Sequence, residues 1–368
     1  MFRVIISFLL LFCLSINTSC QIRLLESNDV LDEIKRSLSH LYNYQFTEAR
    51  SSLSLIRDKA DGHPSIPFLE ALIIYWENYP MTIDNPDTPE FLLRVEEAYN
   101  SAGQLLKTDP DDLEGIFFDL FGKAFYVMFW ADNGKPGKVL PYLSVMYKQT
   151  IAGFTLKESF NEFYFTTGLY NYYITAYPEK HPSYKPIAML FRKGDKEEGL
   201  RQLEYCAENA VFLRVEARFF LSFIYLSYEN NVRKASEYAS MLYREFPGNS
   251  FYTGLYAQIL MLDNKFPLAE VLIKNLDKKD NNFSSMQAFV LRGIYLEKYK
   301  KDYEAAFSEY QKGLELSQKY GPLTKDYTAL SLMGIGRYYK RNANLSAASG
   351  YYKMAKNTCS YDYIITDK

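Results

Sequence analysis

The sequence predicts an all-α chain, an α-solenoid of stacked antiparallel helix pairs, and three observations carry that prediction. From about Asn28 onward apolar residues recur at three- and four-residue spacing, the period of one face of a helix. No run alternates apolar and polar residues as a half-buried strand does. Small residues return at set offsets, with large ones one and two turns beyond, as in a repeated helix–turn–helix unit.

A chain of 368 residues with 48% hydrophobic content can bury a large core, and its length suits one to three domains. Its 33 Tyr and 26 Phe argue against disorder, because disordered chains are poor in aromatics. The 42 basic and 44 acidic residues nearly cancel. Nucleic-acid binding draws on a basic surplus to displace counterions, so nucleic acid is not expected as a partner.

Residues 1–20 read as a secretory signal. Arg3 gives a positive start, residues 4–16 are apolar apart from Ser7 and Ser15, and Asn17-Thr18-Ser19-Cys20 supplies small and polar residues. The stretch is too short for a permanent transmembrane helix. Cys20 stands where a bacterial lipoprotein carries its lipidated cysteine, with Ser19 and Thr18 fitting and Asn17 replacing the usual Leu-like residue. Lipidation of Cys20 and plain cleavage that leaves Gln21 at the new end both fit. Residues 21–27 form a short linker.

Residues 28–110 hold the first helical repeats. Phe46, Ala49, Leu53 and Ile56 precede Pro64, and Ala98, Ala102 and Leu105 precede Pro110. Residues 111–198 are a divergent aromatic-rich segment. Phe117, Phe118, Phe121, Phe125 and Phe129 make one helix apolar nearly all round, and Phe163, Phe165, Tyr172 and Tyr173 enrich another. Such helices are usually central; core packing and an aromatic ligand pocket are the two readings. Asp119 and Lys123, one turn apart, argue against a membrane span. Residues 199–357 repeat most clearly, through Ala235, Ala239 and Leu242; Ala257, Ala269 and Ile273; Gly293, Ala306 and Tyr310; and Gly336, Ala348 and Tyr352. Residues 358–368 are a tail. A small residue in the first helix of a pair lets the second approach, and the second helix places its Ala at that contact. Proline after the second helix ends it, as Pro247 does, and Asn249 then suits an N-cap.

This pattern resembles the tetratricopeptide repeat, over about residues 28–356 and most closely over residues 332–356. The resemblance implies a superhelix in which Ala49, Ala98, Ala235, Ala257, Ala269, Gly293, Ala306, Gly336 and Ala348 pack the repeats. Ala49 and Ala98 are 49 residues apart and Ala306 and Ala348 are 42, against about 34 in the family, so some helices or loops are extended. The resemblance also implies that first helices line a concave groove where peptides bind. Arg337, Lys340 and Arg341 lie on the first helix of the last unit, with Arg337 and Arg341 sharing a face. Gln287, Gln258 and Tyr228 are the corresponding positions of earlier units. These six are the candidate partner-binding residues.

Catalytic constellations are missing. His40, His63 and His181 share no ligand spacing with each other or with a cysteine, so neither a metal nor a cofactor is expected. No G-x-S-x-G elbow occurs, and residues 132–137, a glycine-containing stretch, lack the Gly-Lys-Ser/Thr ending of a phosphate loop. Glu96-Glu97, Asp111-Asp112 and Glu197-Glu198 are neighbours that point about 100° apart on a helix. Cys206 and Cys359 make no disulfide framework; Cys206 falls on an apolar helical stripe.

The expectation is a non-enzymatic protein-interaction scaffold with a protein or peptide partner, exported to the periplasm or outer membrane as an exported bacterial member of the family. A lipidated Cys20 would attach it to the membrane. The alternative is a solute- or glycan-binding lipoprotein with an aromatic-lined cleft, which exposed Tyr and Phe in one cleft would favour.

Overall fold

The computed structural model describes Leu24 and residues 27–279, 281–359 and 364. The signal segment, Cys20, the start of the linker and most of the tail lie outside the described residues. Among the described residues the regular structure is helical throughout. Seventeen α-helices follow in order: α1 (Asn28–Tyr42), α2 (Phe46–Lys59), α3 (Ser65–Glu77), α4 (Thr88–Thr108), α5 (Leu113–Asp132), α6 (Leu143–Leu156), α7 (Phe163–Lys180), α8 (Lys185–Ala188), α9 (Lys196–Asn209), α10 (Arg214–Ser227), α11 (Val232–Glu245), α12 (Ser250–Leu262), α13 (Phe266–Asp277), α14 (Asn282–Tyr295), α15 (Tyr303–Gln318), α16 (Lys325–Arg341) and α17 (Leu345–Thr358). The fold is an all-α solenoid of stacked antiparallel helix pairs.

Eight pairs stack: α1/α2, α3/α4, α5/α6, α7/α9, α10/α11, α12/α13, α14/α15 and α16/α17, with α8 a short insertion in the fourth. Each pair packs on the next, and first helices touch first helices two elements on, as α12 on α14 and α14 on α16.

Five of the pairs turn in the same way. Tyr44, Asn230, Asn264, Lys301 and Ala343 each take a left-handed backbone conformation, with φ between 51° and 62°. Each lies two residues before the second helix begins and five before its buried Ala: Ala49, Ala235, Ala269, Ala306 and Ala348. The left-handed residue reverses the chain in the fewest steps, and in three of these turns the next residue caps the second helix. Asn231 accepts from the Lys234 amide, Asp302 from Ala305 and Asn344 from Ala347, each at 3.1 Å. The second to fourth pairs lack this turn, which is where the sequence pattern drifts.

All nine small residues placed at repeat contacts are buried. The Gly293 and Gly336 positions show why small residues stand there. A methyl on Gly293 would come within 2.7 Å of the Tyr310 ring, and one on Gly336 within 2.6 Å of Tyr352.

The solenoid also closes on itself. The turn after α1 meets the turn before α12: Asn249 Nδ2 donates to the Tyr42 carbonyl at 3.1 Å and Asn43 Nδ2 to the Glu245 carbonyl at 3.4 Å. Gly248 passes so close to the Asn43 carbonyl that any side chain there would collide with it. Aromatic rings continue the seam. Trp76 packs on Phe251 and Tyr252 at 5.8 and 5.7 Å, and Tyr79 on Phe251 and Phe283 at 5.0 and 5.3 Å. Phe212 meets Phe68, Phe117 and Phe118. Phe117, Phe118, Phe121, Phe125 and Phe129 are all buried, as are Phe163, Phe165 and Tyr172, so these rings are core and line no open cleft.

Two groups of buried polar side chains in the core are paired. His63 receives the Ser65 amide on Nδ1 at 3.1 Å, which leaves Nε2 to donate to the Glu114 carboxylate at 2.9 Å. Glu162 caps the start of α10, accepting from the amides of Val211, Phe212 and Leu213 at 2.6, 3.0 and 2.9 Å. Burial raises its carboxyl to about 7, against the pull of those three amides. Cys206 is buried and Cys359 half-buried, and burial pushes the Cys206 thiol up.

Candidate functional site

An open cleft of about 560 Å³ lies between the last two repeats. Its floor is set by a departure from regular helix. A π-helical turn, Leu296–Lys300, extends α14 and hands the chain to left-handed Lys301, which presents Lys298 and Lys301 beside the end of α16. From α16 come Arg337, Lys340 and Arg341. Five cations thus face a single lining carboxylate, Glu297.

The six partner-binding candidates fall into different environments. Lys340 and Arg341 are exposed at the cleft, and the Arg341 guanidinium lies 3.5 Å over the Tyr303 ring. Arg337 is mostly buried and spoken for. Its Nε donates to Glu297 Oε1 and its Nη2 to Oε2, both at 2.7 Å, and the Tyr310 hydroxyl donates to Oε2 at 2.7 Å. Burial alone would push the Glu297 carboxyl up, but the Arg337 guanidinium and the Tyr310 hydroxyl outweigh it and leave it below its ordinary value. Arg337 therefore ties the last two repeats together and adds positive charge to the cleft wall without offering its fork to a partner.

Gln287 and Gln258 correct the expectation of an open inner groove. Both are buried, Gln287 completely, and its Nε2 donates to the Tyr327 hydroxyl at 3.0 Å. The physical reason is close packing of the first helices: Gly254 leaves only enough room for the Gln287 amide. Tyr228 is half-buried among Tyr172, Tyr173 and Phe223, with Lys180 5.1 Å above its ring. It belongs to a different wall from the basic cleft.

Lys298, Lys301 and Tyr303 complete the cleft and were not among the sequence candidates. A local signal existed. Lys298, Lys300 and Lys301 form a basic run that ends five residues before Ala306, the offset that places a turn at the edge of a repeat.

A second cleft of about 420 Å³, between α2, α3 and α4, is charged but self-neutralised. Arg50 pairs with Glu77 at 2.5 Å, Arg57 with Glu70, and Arg94 with Glu90 and Glu97 at 2.7 Å. Its guanidinium groups are occupied, whereas the basic cleft keeps Lys301, Lys340 and Arg341 at the surface. Among the described residues no group of three or more His, Cys, Asp and Glu gathers in metal-binding distance. What the basic cleft can do chemically is hold an anion: two ammonium groups and one guanidinium at an open mouth, backed by a buried, partnered Arg.

No family model matches the chain and no curated protein is significantly similar to it. Solved structures do resemble it. A tetratricopeptide repeat protein from Parabacteroides merdae is 14% identical, with 83% of this chain and 100% of that one covered and a TM-score of 0.33. Human IFIT1, in a dimer with PPP-AAAA, is 16% identical over 90% of this chain and 95% of its own, with a TM-score of 0.40. Yeast Tom70 is 12% identical over 92% and 93%, with a TM-score of 0.25.

Proposed function

We propose that the chain is a non-enzymatic protein-interaction scaffold of the exported bacterial kind, and that it takes an acidic segment of a partner protein in the basic cleft between its last two repeats. The observation that carries this is the imbalance of the cleft, five cations against one carboxylate, in a chain whose charges otherwise cancel. Charge of one sign concentrated at an open mouth steers and orients an oppositely charged ligand. The closed inner seam directs contact to this edge instead of the concave face. The near-neutral whole speaks against a nucleic acid, whose binding would spread cations over a longer track.

Anisotropy of a labelled Asp/Glu-rich peptide tests the reading. Reversing Lys340→Glu and Arg341→Glu together should weaken binding at least about tenfold, with a steep loss of affinity as salt rises. Unchanged affinity in the double variant would refute the cleft. Tighter binding of a single-stranded oligonucleotide of equal charge would refute the partner class.

Export through residues 1–20 supports the same reading and has its own test, the mass of the mature N-terminus isolated from a Gram-negative cell. A diacylglyceryl mass on Cys20 or a free Gln21 end agrees with it. A chain still carrying residues 1–20 does not.

A further inference from the structure

Two segments on one side of the middle repeats break the charge balance of the chain. Residues 133–157 and 180–194 contain eight Lys and Arg and no Asp or Glu. They are adjacent in space. The Phe191 ring packs on Tyr147 of α6 at 5.1 Å, the Arg192 guanidinium sits 3.7 Å over Phe154, and the Tyr170 hydroxyl donates to the Arg192 carbonyl at 2.7 Å.

The same segments carry the three most exposed large apolar side chains among the described residues, Met189, Leu190 and Leu140. Met189 and Leu190 are 84% and 83% exposed, and Ile187 and Phe191 beside them are also open. Leu143 lies one turn before Tyr147 on the same helix face and is exposed, as is Leu140 ahead of it. Along α6, of mostly apolar sequence, only Gly153 is fully buried. Lys148, Lys185, Arg192 and Lys193 are exposed on the same segments, as are Lys135 and Lys138 earlier in the chain.

We infer that this face docks on a membrane surface bearing anionic phospholipid, with the residue 187–191 tip entering the headgroup region. Side chains more than four-fifths exposed form a protruding apex, which suits a soft planar interface better than a pocket suits a peptide. Apolar tips accompanied by exposed Lys and Arg, with Tyr147 and Tyr184 on the same segments, match the layered chemistry of an anionic bilayer: hydrocarbon at depth, phosphate above it. An apolar face of this extent on a water-facing wall calls for a cover, and eight Lys and Arg against four flanking carboxylates, Asp132, Glu158, Glu179 and Asp195, specify a negative one. No described helix is long and apolar enough to cross a membrane.

The experiment uses the full chain carrying Leu190→Trp, and vesicles of phosphatidylcholine with or without phosphatidylglycerol. The indole introduced at the apex should shift its emission to the blue on phosphatidylglycerol vesicles and not on pure phosphatidylcholine, and salt should reverse the shift. In flotation, Met189→Asp with Leu190→Asp, and separately Lys185→Glu with Lys193→Glu, should each lower the apparent partition at least about tenfold. These four side chains are exposed, so an unchanged far-UV circular dichroism spectrum is expected of each variant. Flotation without an emission shift would mean attachment elsewhere, through the apolar residues 4–16, and overturns the proposal. An equal shift on both vesicle types overturns the anionic requirement. No shift on either assigns the face to a protein partner instead.

Discussion

Tyr310 is held between two glycines. Gly293 of α14 and Gly334 of α16 face its ring from opposite sides, and a methyl on Gly334 would overlap the ring outright. The ring is buried and its hydroxyl is tied to Glu297, so it has no room to swing away. Gly334→Ala should therefore destabilise by about 1–3 kcal/mol through overpacking, despite the helix propensity it gains, read as a lower urea midpoint at unchanged m-value. A rise in the midpoint would show that the ring can move. At Glu216 the sign runs the other way with pH. Burial, the largest influence, raises its carboxyl to about 7; the Tyr42 hydroxyl bonds one oxygen and the other has no hydrogen-bond partner. The unfolded chain ionises this group near 4.5 while the folded chain still holds its proton, so stability falls as pH rises from about 4.5 to 7 and then levels. Glu216→Gln keeps an acceptor for Tyr42 and removes the charge. It should flatten that slope and raise stability at pH 8 by at most on the order of 3 kcal/mol. Denaturation midpoints of both chains at pH 5 and pH 8 decide it.

At the scale of the element, the spacing of small and large residues made the helix pairs legible, because helix periodicity and close approach are local properties. Ala235, Ala269, Ala306 and Ala348 mark second helices, and each is buried in one. The turn that sets them was not legible. Its left-handed residue is Tyr, Asn, Asn, Lys and Ala in the five pairs, so no glycine announces it; only the fixed offset to the Ala does. A left-handed conformation costs a residue with a Cβ about 1–2 kcal/mol. Ala343→Gly should relieve part of that and stabilise the chain by roughly 0.5–1 kcal/mol, net of glycine's greater freedom when unfolded. A lower thermal midpoint would mean that the Ala343 methyl makes a contact worth more than the strain. Arg337 misled for a related reason. Its i, i+4 partnership with Arg341 suggested a surface pair, but the carboxylate that claims it sits 40 residues earlier, on the π-helical turn of the preceding repeat. No periodicity read along one helix reveals a side chain arriving from another.

The whole molecule departs from a simple solenoid, in which each repeat touches only its neighbours and stability is nearly additive along the stack. Here Tyr42 and Asn249, 207 residues apart, share a hydrogen bond, and Trp76, Tyr79, Phe251 and Phe283 close the inner face. Contacts of this length leave no mark in local sequence, which is why Gln258 and Gln287 read as groove residues although the folded chain buries them. Closure couples the first two repeats to the fifth through seventh, so the chain should unfold as one unit instead of fraying from its ends. Trp76, buried in the seam, reports on it directly. In a Trp130→Phe background, Trp76 fluorescence and far-UV circular dichroism should lose signal at the same urea concentration. Gly248→Val drives a side chain into the Asn43 carbonyl, a backbone atom that cannot rotate aside. It should part the seam while sparing the helix pairs, so that fluorescence changes at lower urea than circular dichroism and the m-value of each step falls below that of the parent. Coincident transitions in the variant would show that the seam contributes no coupling and that neighbouring pairs alone hold the stack together.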